Sequence, residues 1–102
     1  MTKEKALILK ITESIIEKMN DLRCGRVLEI YGDVCSISEI LDKLEDYLMD
    51  YKDYKTNFKE CIRYIRYLIW TIPAVGVDSK MYFIKKAIRH TEILKKELYY
   101  GL

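Results

Sequence analysis

Apolar residues recur at helical spacing along four separate stretches of this sequence, and that periodicity decides what the chain can fold into. At roughly 100° of rotation per residue, each stretch gathers its apolar side chains on one face. The first helix is predicted from about residue 3 to residue 23. It carries Ile8, Ile11, Ile15, Met19 and Leu22 on one face, with Leu9 and Ile16 on a shoulder. That shoulder fits either a dimer seam or the extra burial of a helix central to the fold, and the second is expected. Gly25 is the expected stop. The second helix is predicted after Ser36, where Ser36 and Glu39 have the spacing of a capping box. Its stripe is Ile37, Ile40, Leu41, Leu44, Tyr47, Leu48 and Tyr51, with both tyrosines expected in the core.

The third helix is predicted from about Asn57, with Glu60 placed for a second box. It aligns Phe58, Cys61, Ile62, Ile65, Leu68, Ile69 and Ile72. Pro73 ends it, because the residue before a proline is driven out of the helical region. Asp78 is the expected N-cap of the fourth helix, which reaches about Tyr100. Phe83, Ile84, Ala87, Thr91, Leu94 and Leu98 face inward, and Gly101 supplies the end.

Four Gly and one Pro in 102 residues are too few for an all-β domain with many turns. The expected fold is all-α: four helices as two helical hairpins, in a single domain over residues 1–102. Residues 26–34 and 74–77 could add a short two-stranded ribbon, although an isolated pair is marginal alone. Each half reads as a long helix, a Gly-containing connection with an Asp, and a capped helix. That order suggests an internal repeat with units 1–54 and 55–102. Glu13–Ser14–Ile15 parallels Glu60–Cys61–Ile62, while Gly32 and Gly76 align only with gaps.

The net charge of +2 hides an asymmetry. Residues 1–51 hold 7 basic and 11 acidic side chains, or −4; residues 52–102 hold 11 and 5, or +6. Glu39, Asp42, Asp46, Asp50 and Asp53 face away from the second apolar stripe. The basic half interleaves aromatics with its cations. Lys59, Arg63, Arg66 and Trp70 form one stripe flanked by Tyr64 and Tyr67, and the Arg66–Trp70 spacing allows cation–π stacking. Tyr82, Lys85, Arg89, Ile93, Lys96 and Tyr100 form another.

Catalytic and metal signatures are missing. One histidine excludes His-pair metal sites, and the spacing of Cys24, Cys35 and Cys61 does not form zinc-ribbon pairs. His90 is expected to be a partly buried, structural imidazole. A Cys24–Cys35 bridge is geometrically feasible, with free thiols in a reducing cytosol the expectation. Glycine-rich phosphate loops and nucleophile elbows are absent, so neither a cofactor nor an enzymatic activity is expected. No apolar run is long enough to span a membrane, and the charged start is not a signal peptide. An intracellular protein is expected. The chain has no Gln, only two Asn, and abundant Lys and Glu, a hyperthermophile tendency that an AT-rich genome also favours in part.

The stretches FKECIRYIRYLIW and MYFIKKAIRHTEILKK carry this Lys/Ile/Tyr-rich texture. In it the chain resembles the small orphan proteins of filamentous viruses that infect hyperthermophilic archaea. The resemblance implies an intracellular viral protein acting in a host cytoplasm where disulfides also occur. It carries no functional residue over.

Two functions fit the residues. The first is a non-enzymatic protein–protein interaction module that binds a peptide or partner helix in a groove between its two helical halves. Lys59, Arg63, Arg66, Tyr67 and Trp70 would line it with Tyr82, Lys85 and Arg89, because Trp, Tyr and Arg dominate binding hot spots. The alternative is a nucleic-acid-binding protein using the same C-terminal faces, with cations on phosphates and an aromatic ring on a base. The acidic second helix and the small net charge speak against it. The sequence leaves the oligomeric state open.

Overall fold

The apolar stripes become buried rows spaced alternately by three and four residues. In α1 (Lys3–Cys24) the row is Ile8, Thr12, Ile15, Met19 and Leu22. In α2 (Ile30–Met49) it is Ile30, Val34, Ile37, Leu41, Leu44 and Leu48. In α3 (Thr56–Thr71) Phe58, Ile62, Ile65 and Ile69 continue into Ile72. In α4 (Val77–Gly101) Ile84, Ala87, Thr91, Leu94 and Leu98 complete the set. Such rows let neighbouring helices interlock along their length, which is the packing of a four-helix bundle. The structure is a computed structural model that describes residues 3–24, 30–49 and 56–101, the side chains of 23–24 and 56–57 excepted.

Each helix packs on the two that flank it: α1 on α2 and α4, and α3 on α2 and α4. Helices α2 and α4 are therefore diagonal. Neighbours run antiparallel, as the cross-helix pairs require. Arg66 meets Asp42 and Glu45 while Trp70 meets Tyr31, Lys95 meets Glu13 while Thr91 meets Met19, and Cys61 meets His90 while Tyr64 meets Lys86. The bundle is up-down-up-down and measures 41 × 22 × 18 Å. Two buried hydroxyls among the described residues need no outside partner. Thr12 Oγ1 donates to Ile8 O at 2.9 Å and Thr91 Oγ1 to Ala87 O at 2.8 Å.

The second helix starts earlier than its capping-box spacing suggests. Ser36 lies inside α2, where its hydroxyl donates to Gly32 O at 3.2 Å, so Ser36 and Glu39 do not cap the helix. The physical reason is burial. Ile30 and Val34 extend the row of Ile37 backwards, and hiding them outweighs the cost of about 1 kcal/mol for a glycine within a helix. No strand occurs among the described residues, and residues 30–34 are helical, so the ribbon is not seen. Residues 26–29 of that ribbon, together with Gly25 and Tyr51, lie outside the described residues. The two glycines behind the repeat are not equivalent, since Gly32 is inside α2 and Gly76 precedes α4. Cys35 and Cys61 are free thiols, and the side chain of Cys24 lies outside the described residues.

Pro73 acts as its sequence position predicts. Helix α3 stops at Thr71, a single 3₁₀ turn covers Ile72–Ala74, and Val75 is extended. Lys80 Nζ donates to Ile72 O at 3.0 Å and to Val75 O, satisfying carbonyls that the turn frees. In the first turn of α4 the amides of Ser79 and Lys80 donate to Gly76 O. Asp78 is thus in the first turn of α4 and not its N-cap, where its charge still complements the helix dipole. Three further positions, two on the shoulder of α1 and one aromatic, are also placed. Leu9 is buried and Ile16 packs half-buried against the core, because α1 is wedged between α2 and α4. Tyr47 is 44 % exposed, so it lies at the edge of its stripe and not in the core.

Candidate functional site

The residues singled out in the C-terminal half separate into two groups around α3. One group turns toward α2. The Arg66 guanidinium forks between Asp42 and Glu45, with Nη1 donating to Glu45 Oε2 at 2.7 Å and Nη2 to Asp42. Burial alone would lower its pKa, but Glu45 and Asp42 together raise it. The Trp70 ring meets Tyr31 edge-on, with centroids 5.8 Å apart. Arg66 and Trp70 therefore do not stack on each other as their spacing allows, because carboxylates and a ring on α2 reach them first. They close the seam between the halves at these positions. Arg66→Ala should lower stability by about 1 kcal/mol, and by less at high salt, since both pairs are partly solvent-screened. Urea unfolding at low and high ionic strength measures both.

The others are exposed, Lys59, Arg63 and Tyr67 on α3, and Tyr82, Lys85 and Arg89 on α4. Of the three on α3 only Tyr67 is joined to α4, through Tyr64, while Lys59 and Arg63 keep to the α3 stripe of Arg66 and Trp70. Between these helices Tyr67 stacks on Tyr64, and Tyr64 meets the His90 ring edge-on at 4.7 Å. The Lys86 ammonium lies over two rings, 5.9 Å from the centroid of Tyr64 and 5.4 Å from that of Tyr82. Hydrogen bonding to Tyr64, then to Tyr82, raises its pKa. Tyr82 also packs edge-on against Phe83.

Beside this cluster lies an open concavity of about 490 Å³, lined by Tyr82, Lys85, Lys86, Arg89, His90 and Ile93. Among the described residues its rim holds three cations and no carboxylate. Burial first, and the charges of Lys86 and Arg89 second, lower the His90 pKa from its ordinary value. Tyr82, Lys85 and Arg89 were legible as one stripe. Lys86 and His90 were missed as site residues, although Tyr82, Lys86 and His90 stand at successive i,i+4 positions. A second concavity, of about 470 Å³, lies on the α1–α4 seam between Glu13, Ile16, Glu17, Glu92 and Lys95. There Lys95 is paired with Glu13 at 3.0 Å, and none of the predicted binding residues reaches it.

Cys61 is half-buried on the α3–α4 side, with its thiol directed to His90 O at 3.9 Å. Burial, then the nearby charge of Glu97, pushes its pKa up to about 11. A thiol so raised has about 100-fold less thiolate than an ordinary one at pH 8. Iodoacetamide should label Cys61 about 100-fold more slowly in the folded protein than in urea, as read by peptide mapping. Among the described residues no group of three or more His, Cys, Asp or Glu side chains could hold a metal ion, and no helix is long and apolar enough to cross a membrane. No family model, curated protein or solved structure matches this chain.

Proposed function

We propose that this chain is a non-enzymatic protein–protein interaction module that docks an acidic peptide or partner helix on the outer face of α3 and α4. The observation that supports it is the concavity on α4, where Lys85, Lys86 and Arg89 stand with no carboxylate among the described lining residues, beside exposed Tyr82 and half-exposed Tyr64. A helix with carboxylates at i, i+3 and i+4 would present them to those cations along one line. The tyrosine rings and Ile93 would cover its apolar positions. Arg66 and Trp70, being engaged with α2, would hold the module together instead of touching the partner.

Nucleic acid is the second reading, favoured by one observation. Glu39, Asp42 and Asp46 sit on α2, diagonal to α4, so they do not face a polyanion on the basic flank. An equilibrium titration with an Asp-rich helical peptide and a single-stranded oligonucleotide, each across a salt series, separates the two. The proposal expects peptide binding that weakens with salt and exceeds oligonucleotide binding at physiological ionic strength. Oligonucleotide binding alone, with a steep salt slope, would establish the second reading.

A further inference from the structure

We propose that docking on the α4 concavity is proton-linked: the acidic partner binds together with one proton taken up by His90. This rests on the docking reading above and adds its regulation. His90 lines the concavity next to Lys86 and Arg89, on the same helix. From α3, the groups that face it are the Tyr64 ring and the Cys61 thiol, which is bound to its carbonyl. Glu97, further along α4, acts on Cys61. Among the described residues no carboxylate lines the concavity beside the imidazole.

The free site therefore disfavours a charged imidazole, for reasons visible in the geometry: the ring is tucked against Tyr64 and flanked by two cations. A carboxylate seated between Lys86 and Arg89 reverses both influences. It neutralises the repulsion and adds an attraction of its own. The bound complex then holds the His90 proton more tightly than the free protein does. By linkage, affinity rises as pH falls through the pKa of the bound state and levels off below that of the free state. Aspartate side chains on the partner stay ionised across this range, so the pH dependence belongs to the imidazole.

His90 is the only histidine in the chain, so its ring gives a single, unambiguous NMR signal. The titration midpoint of that signal is followed with and without the Asp-rich peptide, and peptide affinity is measured at about pH 5.5 and about pH 7.5. A midpoint raised by about one unit, with affinity roughly tenfold tighter at the lower pH, is the expected result. His90→Gln should still bind and lose the pH dependence. An unmoved midpoint with equal affinities at both pH values overturns the proton linkage and leaves the docking reading intact. Absence of peptide binding at either pH, even at low salt, overturns both.

Discussion

Ile65→Ala will remove about 2–5 kcal/mol of stability, the cost of a large-to-small change in a core that does not collapse around the gap. Ile65 has no solvent exposure and sits at the middle of the α3 row, facing the interior where all four rows meet. A domain of this size is stable by roughly 5–15 kcal/mol, so the single change consumes a large share. Thr91→Val is the informative contrast. Thr91 is equally buried, but its hydroxyl is satisfied within its own helix and is followed only by a weak contact to Met19 Sδ at 3.5 Å. Replacing that hydroxyl by a methyl group removes donor and desolvation cost together, so stability should change by less than about 1 kcal/mol. Chemical denaturation of the two variants, with unchanged m-values, checks both.

Lys85→Glu/Arg89→Glu will weaken docking of the acidic partner by about 100-fold or more. Each reversal replaces an attraction for the partner's carboxylates with a repulsion. Close interfacial charge pairs are coupled by about 1.5 kcal/mol or more, so two of them account for a factor of this size. Stability should stay within about 0.5 kcal/mol of wild type, because both side chains are exposed on the outer face of α4. The matched control is Glu39→Lys/Asp46→Lys on diagonal α2, expected to change affinity by less than about twofold. Isothermal titration with the same peptide reads all three proteins.

Most of the architecture was legible because each helix repeats its apolar residues with unbroken 3–4 spacing, and Pro73 punctuates where the chain turns. The errors arose where a local signal competed with burial. Gly32 and Asp33 read as a turn and Ser36–Glu39 as a cap, yet the row from Ile30 through Val34 to Ile37 carries the helix across them. Open space around Gly32 shows that no close packing demands a glycine there. The candidate site was half legible. Periodicity places Tyr82, Lys85 and Arg89 on one stripe, but it does not say which cations find carboxylates on another helix. Arg66 and Trp70 are drawn to α2 by Asp42, Glu45 and Tyr31, partners more than twenty residues away in sequence. Such pairings depend on which helices are neighbours, and a helical stripe does not carry that information. The charge partition acquires a direction in the same way. The acidic helix α2 and the basic helix α4 stand diagonally, so the +6 half keeps an outer face that the −4 half does not neutralise.

Chemical-shift mapping of isotope-labelled protein during titration with the Asp-rich peptide tests the docking face most directly. Perturbations are expected to concentrate at Tyr64, Tyr82, Lys85, Lys86, Arg89 and His90, with α1 and the outer face of α2 unmoved. Perturbations centred on Arg66, Trp70 and Tyr31, or on the α1–α4 seam around Glu13 and Glu92, would contradict it.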